Sequence, residues 1–449
     1  MTLLVIDWAG VGVKAAQFIL SFSILVTLHE LGHFITARWF KCRVEKFYLF
    51  FDPWFSIWKK KKGDTEYGIG WIPFGGYVKI SGMIDESMDK EQMKLPPQPY
   101  EFRAKPAWQR LIIMVAGVIM NIALAIIIFI GITWKWGQEY LPAKNLSYGV
   151  HADSLAKSIG IKDGDNIIAL DHVAVENFDA IERDIMLKEP KTMQILRDGQ
   201  SLDISIPDGF LKNLTRDKNA DKDLVEPRFP TIIDSIEPTA AFTSGSLQKG
   251  DTLVGINQHL FAYYNDFIKY RAQYKDSIVN LTAIRGKDSV HIRCYLKDGK
   301  VGFYPKAPSK IFGIFKKTYS FGESLSVGFK GCFETLGNYM TGLRQLFTGK
   351  QNANESLRGI VGIGNTFPAV WDWERFWKLT GIFSIILAFM NILPIPALDG
   401  GHALFTLIEI ITGRKPSDKF MEYAQMVGMI LLLGLMAYAL GLDVWRLFK

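Results

Sequence analysis

The sequence predicts a polytopic α-helical membrane protein with four transmembrane helices, two small α+β domains outside the membrane, and a membrane-associated β-hairpin region. Three observations carry this. Hydrophobic residues make up 49% of the 449, but they are concentrated in blocks. Four blocks approach the roughly 20 residues a span needs: Val11–Thr36, Leu111–Trp134, Phe376–Leu393 and Met421–Val444. The long segment between the second and third spans is soluble in composition and contains one motif twice. After span one comes a stretch of β-branched and aromatic residues broken by glycines.

Span one falls within residues 1–40. It is not a cleavable leader, because Asp7 stands where a basic n-region would be and the apolar run outlasts an h-region. Inside it lies "HELGH", His29–His33. Ionisable groups at membrane depth cost roughly 2.5–3.5 kcal/mol each on insertion scales, so they are rare there and usually functional. Residues i and i+4 share a helix face, so His29 and His33 can present two imidazoles to one metal. Two neutral imidazoles suit Zn²⁺, whose catalytic sites take three protein ligands and keep one place for water. Glu30 sits one position round and can act as that water's general base. In a soluble domain so short a motif is often a polar patch; within a span the metal reading prevails. Gly32 would let a neighbouring backbone approach.

Residues 41–105 are expected to be cytoplasmic and β-rich. "DTEYGIGWIPFGGYVKISGM", Asp64–Met83, reads as strands broken by Gly68, Gly70, Gly75 and Gly76. Lys59–Lys62 reads as a solvated turn near headgroups. Span two occupies residues 106–137. Basic residues follow span one (Arg38, Lys41, Arg43, Lys46), precede span two (Arg103, Lys105, Arg110) and lie between spans three and four (Arg414, Lys415, Lys419). This puts both connections in the cytoplasm and the long loop outside. The formal charge of +7 is otherwise scattered, with no basic stripe for nucleic acid.

In the loop, "SLAKSIGIKDGDNIIALD" (Ser154–Asp171) and "AAFTSGSLQKGDTLVGIN" (Ala240–Asn257) align at a period of 86 residues. Each reads as a helix, a Gly-Asp turn and a short apolar strand, hence two copies of one domain, at 138–211 and 227–306. The charged segment Lys212–Glu226 reads as their linker. In residues 307–370, Phe321, Leu325, Phe329, Phe333, Leu336, Met340, Leu343 and Phe347 recur at helical spacing, which suits an amphipathic helix on the membrane surface or packed against the outer domains, with ordinary packing preferred to a gating role. His151, His172, His259 and His291 have no metal spacing. Cys42, Cys294 and Cys332 form no CxxC and read as free buried thiols.

Span three falls in residues 371–412 and ends in "FMNILPIPALDGGH", Phe389–His402. Its two prolines cannot continue a helix, and irregular backbone at membrane depth survives only inside protein or beside a wet cavity. Asp399 is therefore an acid on a broken helix end. Its bland reading is an N-cap for Ala403–Thr412; beside HExxH, the third metal ligand is preferred. The long metzincin pattern would need Gly at Thr36 and His at Trp39, so it is absent. His402 reads as supporting or structural. Span four falls in 413–449.

HELGH in the first span and "NILPIPALDGGH" in the third, with a duplicated domain between spans two and three, resemble the site-2 protease family of intramembrane zinc metalloproteases. The duplicated stretches resemble PDZ domains. The resemblance runs over nearly the whole chain, and departs from the family where Val118 replaces a proline in "AGVIMN" and Ile360 replaces one in "RGIVGI". It implies Zn²⁺ held by His29, His33 and Asp399, Glu30 as catalytic base, and Asn391 holding the substrate backbone. It also implies that the glycine-rich strand, at Gly68, Ile69 and Gly70, contacts substrate; an edge strand there would pair with an unwound helix by β-augmentation. Implied partners are transmembrane substrates such as anti-sigma factors and signal-peptide remnants, with membrane lipids and no nucleic acid. The implied location is the bacterial cytoplasmic (inner) membrane, with the PDZ pair on the periplasmic or extracytoplasmic side. An inactive PDZ scaffold would sit with loss of Glu30 or Asp399, and both are present; a transporter would show inverted repeats, and none is seen.

Overall fold

The computed structural model describes residues 7–83, 96–216, 223–238 and 240–447. The parts of the expected regions at 84–95, and of the linker at 217–222, lie outside the described residues. The chain divides into two compact units. One comprises the chain up to Gly137, Thr318–Leu343 and everything from Ser356; the other comprises Gln138–Lys317 and Arg344–Glu355.

The first unit holds, among the described residues, four helices long and apolar enough to cross a membrane. They are α1 (Trp8–Trp39), α2 (Ala107–Lys135), and, after the helix α3 (Phe321–Phe347), α4 (Trp373–Ile392) and, beyond α5 (Asp399–Thr412), α6 (Asp418–Leu447). α1 starts where the Asp7 carboxylate accepts the Gly10 N–H, a cap that satisfies one of the first-turn donors. α2 is the central element, packed against α1, α4 and α5. Small residues allow this: a Cβ on Gly32 of α1 would lie 2.5 Å from the Ala116 carbonyl oxygen of α2, and one on Gly381 of α4 would lie 3.0 Å from Ile128. α4 stops at Leu393, because Pro394 and Pro396 lack the N–H a further turn would need. Some polar side chains inside the bundle pair with each other, as with Ser21 and Thr380 at 2.9 Å.

The segment after α1 is a four-stranded mixed sheet: β1 (Val44–Phe51), β2 (Trp58–Lys62), β3 (Thr65–Ile69) and β4 (Ile72–Ile80), in the order β2-β3-β1-β4. The expected hairpin over Asp64–Met83 is not what forms. β1 lies between β3, to which it runs parallel, and β4, to which it runs antiparallel. β3 is therefore an inner strand, hydrogen-bonded on both sides, and the edges are β2 and β4. Lys59–Lys62 is that outer strand β2 rather than a turn. The glycines follow from the crossing: a Cβ on Gly70 would sit 2.1 Å from the Phe51 carbonyl oxygen, and one on Gly68 would sit 2.3 Å from the buried Tyr48 ring.

α3 is amphipathic as expected, and it packs in the bundle through small residues and Leu336 of the apolar stripe. Gly328 lies against the Ile130 backbone of α2, and Cys332 and Leu336 pack with Ala125 and Ile385. The stripe Phe321, Leu325, Phe329, Phe333 and Met340 stays exposed.

The second unit has two hydrophobic cores, one built on Ile167, Ile181, Met193 and Ile195, the other on Leu253, Phe267, Val279 and Leu281. Both repeat the same scheme. The strand Asn166–Leu170 pairs with Thr192–Arg197, which pairs with Gln200–Ser205; Thr252–Ile256 pairs with Ser277–Arg285, which pairs with Asp288–Leu296. Asp165 accepts the Lys162 N–H and binds Arg197, whose guanidinium also donates to the Gly160 carbonyl. Asp251 accepts the Gln248 N–H and binds Arg285, which donates to the Ser246 carbonyl. Two differences from the expected pattern stand out. Ala241–Ser244 is a strand, not a helix, because Ala241, Phe242 and Ser244 join the edge of Asp288–Leu296. The ends of the expected linker belong to the first core: Leu214, Leu224 and Val225 are buried, and Val225–Pro227 pairs with Val150–Ala152. Charged neighbours hide these apolar anchors in the composition.

Candidate metal centre

His29 and His33 lie one turn apart on α1, both buried. Asp399 opens α5 at the first helical position; Leu398 occupies the cap, and no side chain caps the helix. The capping role that Asp399 could have had is therefore not the one the fold gives it. The segment Leu393–Leu398 folds back against the start of α5. Gly400 and Gly401 permit this, because a Cβ at either would fall 2.2 Å and 2.7 Å from the carbonyl oxygens of Leu393 and Ile395. Ala397, at φ +82°, sits in the left-handed region that a Cβ disfavours, so the loop carries local strain beside the site.

Three atoms converge. His29 Nε2 and His33 Nε2 are 3.3 Å apart, and Asp399 Oδ2 lies 3.0 Å from the first and 3.3 Å from the second. Among the described residues this is the one group of three or more His, Cys, Asp or Glu side chains close enough to share an ion. The neighbouring groups indicate where the ring hydrogens lie. His33 Nδ1 lies 2.8 Å from the Ile113 carbonyl, which only accepts, so Nδ1 carries the hydrogen and Nε2 turns a lone pair inward. Asn121 Nδ2 lies 3.2 Å from His29 Nδ1, while Asn121 Oδ1 is buried with no hydrogen-bond partner, an arrangement that favours exchanging the two amide ends. With the oxygen facing Nδ1, Asn121 accepts that N–H and frees the His29 Nε2 lone pair in the same direction. Asp399 Oδ2 is likewise buried with no hydrogen bond.

Two lone pairs and a carboxylate oxygen pointing at one place repel each other unless a cation lies among them. Zinc bonds of about 2.0–2.1 Å in tetrahedral geometry separate ligand atoms by about 3.3 Å, which is the spacing found here. The donor set fits zinc.

Two residues missed in the sequence make this geometry possible. Gly117 of α2 faces the imidazoles, and a Cβ there would lie 2.4 Å from His33 Nε2 and 2.6 Å from His29 Cε1. Asn121, one turn on, is fully buried beside His29. Both stand in "AGVIMN", which the sequence marks only as a motif without a role; neither partner is near in the chain.

Asn391, near the end of α4, reaches the same place, with Nδ2 3.2 Å from His29 Nε2. Glu30, His33 and Asp399 open onto a cavity of about 410 Å³ whose other walls are Gly76–Ile80 of β4, His402 of α5 and Gln425 of α6. Gly68 and Ile69 are not brought to it; they are inner-strand residues, and Gly70 leads out of β3 against Phe51. The four histidines of the second unit have ordinary partners, such as Asp163 for His151 and Gln194 for His172. All three cysteines are free and buried.

The sequence pattern of peptidase family M50 matches residues 17–435. The regulator of sigma-E protease RseP of Escherichia coli K12 is 27% identical over 462 residues, covering 96% of this chain and 98% of that one. The protease RseP of Yersinia pestis is 26% identical with the same coverage. A Vibrio cholerae protein named "Putative zinc metalloprotease" is 28% identical, again over 96% and 98% of the two chains. The chain belongs to peptidase family M50 and is a zinc metalloprotease.

Proposed function

We propose that this metalloprotease is an intramembrane endopeptidase that hydrolyses peptide bonds within the transmembrane helices of single-pass proteins. His29, His33 and Asp399 hold its zinc and Glu30 is its general base. The observation that carries this is the triangle of inward-facing ligand atoms, contributed by helices of the four-span unit and opening onto a cavity that Glu30 shares. When bound, the zinc supplies a water of pKa about 7 and polarises the scissile carbonyl. Glu30 would accept a proton from the attacking water as its oxygen bonds to the carbonyl carbon, and would deliver that proton to the amide nitrogen as the C–N bond breaks. Ile113 and Asn121 hold the imidazoles in the tautomer the ligands need.

A substrate helix hides its peptide groups in its own hydrogen bonds, so it must be unwound before it is cut. β4 is the edge strand that lines the cavity, and it receives the unwound segment by strand addition. This moves the substrate-pairing role from Gly68, Ile69 and Gly70 to Gly76–Ile80. Asn391 holds the substrate backbone beside the metal.

The second unit is a pair of PDZ-type domains on the extracytoplasmic side of a bacterial cytoplasmic membrane. The duplicated Asp–Arg pairs and strand order support this, as does the run of basic residues on the opposite connections. Anti-sigma factors and remnant signal peptides, cut in regulated intramembrane proteolysis, are the substrate class.

The test pairs metal content with cleavage. Wild type and Glu30→Gln purified in detergent both hold about one zinc per chain, as a three-ligand site requires. Glu30→Gln cleaves a tagged single-span substrate slower by about 10²–10⁴-fold, the usual worth of a general base. Equal cleavage by both would remove Glu30 from the mechanism, and zinc retained by Asp399→Ala would remove Asp399 from the ligand set.

A further inference from the structure

An extended peptide in the cavity has main-chain groups on two sides. β4 pairs with one. The facing wall is the side of α6, whose own N–H and C=O groups are committed to its helix, and the start of α5, whose first-turn N–H groups can donate but whose carbonyls are committed. Side chains must supply the remaining partners there, above all the acceptors, and peptide groups left unpaired in a water-poor site cost heavily.

Two polar side chains stand on that wall. His402 lies one turn after Asp399 on α5, and Gln425 lies on α6; both line the cavity with Glu30, His33 and Asp399. His402 Nε2 is in hydrogen-bond contact with the Gln425 side-chain amide. An amide is costly within an apolar span unless it has a polar purpose. Its position is enforced by Gly428, three residues on: a Cβ there would fall 1.7 Å from the Pro396 carbonyl oxygen, so the α6 backbone rests directly on the loop that presents Asp399.

We propose that His402 and Gln425 form a polar clamp that hydrogen-bonds the substrate main chain on the side facing away from β4, and so selects extended over helical segments. The contact between His402 and Gln425 uses one nitrogen of each; beyond it the amide carries the acceptor Oε1 and the imidazole a second ring nitrogen, Nδ1, which match an N–H and a C=O of an extended strand. A helix satisfied within itself offers the clamp nothing. The pair thus reads backbone conformation and not side-chain identity. This rests on the reading of the cavity as the substrate cleft.

The test uses the full chain, zinc-loaded, in the Glu30→Gln background where turnover is blocked. Affinity for a fluorescent single-span peptide in detergent is measured for Gln425→Leu, His402→Ala and the pair of changes together. Each single change weakens binding about tenfold, the scale of one lost hydrogen bond in a buried site. The double change adds little to either, because the two act as one contact. Zinc content and melting temperature stay at the wild-type values, and in the active background KM rises while kcat is held. Wild-type affinity in both single variants would overturn the clamp. Loss of zinc or a lowered melting temperature in both would also overturn it, by showing that the pair only ties α6 to the loop. If the wild type itself cleaves no single-span substrate, the functional reading fails and the clamp with it; if the wild type cleaves and the variants bind normally, the clamp alone fails.

Discussion

Next to the two imidazoles there is no room for a methyl group. A Cβ on Gly117 would overlap both rings, whereas a Cβ on Gly32 would meet the Ala116 carbonyl one helix away. The two substitutions should therefore fail differently. Gly117→Ala is expected to lose most of its zinc and to melt no lower than the zinc-stripped wild type, because the rings can swing from their shared point without unpacking the helices. Gly32→Ala is expected to cost about 1–3 kcal/mol of stability through overpacking, since backbone cannot step aside. Zinc analysis beside thermal melting separates them; zinc retained in Gly117→Ala would show that the rings tolerate the methyl. At this scale the sequence makes His29, Glu30 and His33 legible, because helical periodicity relates them within one turn. Asn121 and Gly117 are not legible, since what gives them a role is a ring on another helix.

The glycine-rich strand shows how an element changes the meaning of its residues. Gly68 and Gly70 read in sequence as openings for a substrate, yet β3 is enclosed by β2 and β1, and the missing Cβ atoms make space for Tyr48 and Phe51. Gly68→Ala should lower the melting temperature by displacing the Tyr48 ring, and should leave KM for a single-span substrate unchanged in the folded fraction. A raised KM without a loss of stability would return this strand to the substrate path. In the repeated domains, the Arg285 guanidinium hydrogen-bonded to Asp251 holds its carboxyl below the ordinary carboxylate value. The folded-state pKa lies below that of the unfolded chain, so the stabilisation is complete above about pH 4 and is lost as pH falls through the folded value. The protection of amides in the strand Thr252–Ile256, relative to their intrinsic exchange rate at each pH, should fall in acid in the wild type. Asp251→Asn should show faster exchange already at neutral pH and a flatter acid response; an unchanged acid response would show that other carboxylates govern it.

For the whole molecule, the proposed zinc would tie two segments distant in the chain, residues 29–33 and residue 399, beside the helix α2 that braces the imidazoles. A ligand bound only by the folded protein stabilises it by about 2.7 kcal/mol at a concentration a hundred times its Kd. Removing zinc with phenanthroline should therefore abolish cleavage and also lower the melting temperature, with both restored by added Zn²⁺. Loss of cleavage with an unmoved melting temperature would mean that the fold does not depend on the metal.

The sequence by itself determined the four spans, the duplication and two of the three converging side chains, because hydropathy, repetition and helical period are local properties that survive without coordinates. It made Asp399 plausible through the prolines that break the helix before it. Only the tertiary structure decided which strand is an edge, which apolar face of α3 packs, where the linker ends, and which residues of α2 orient the histidines. These depend on what stands opposite each group, and contact across hundreds of residues leaves no trace in the spacing of one segment.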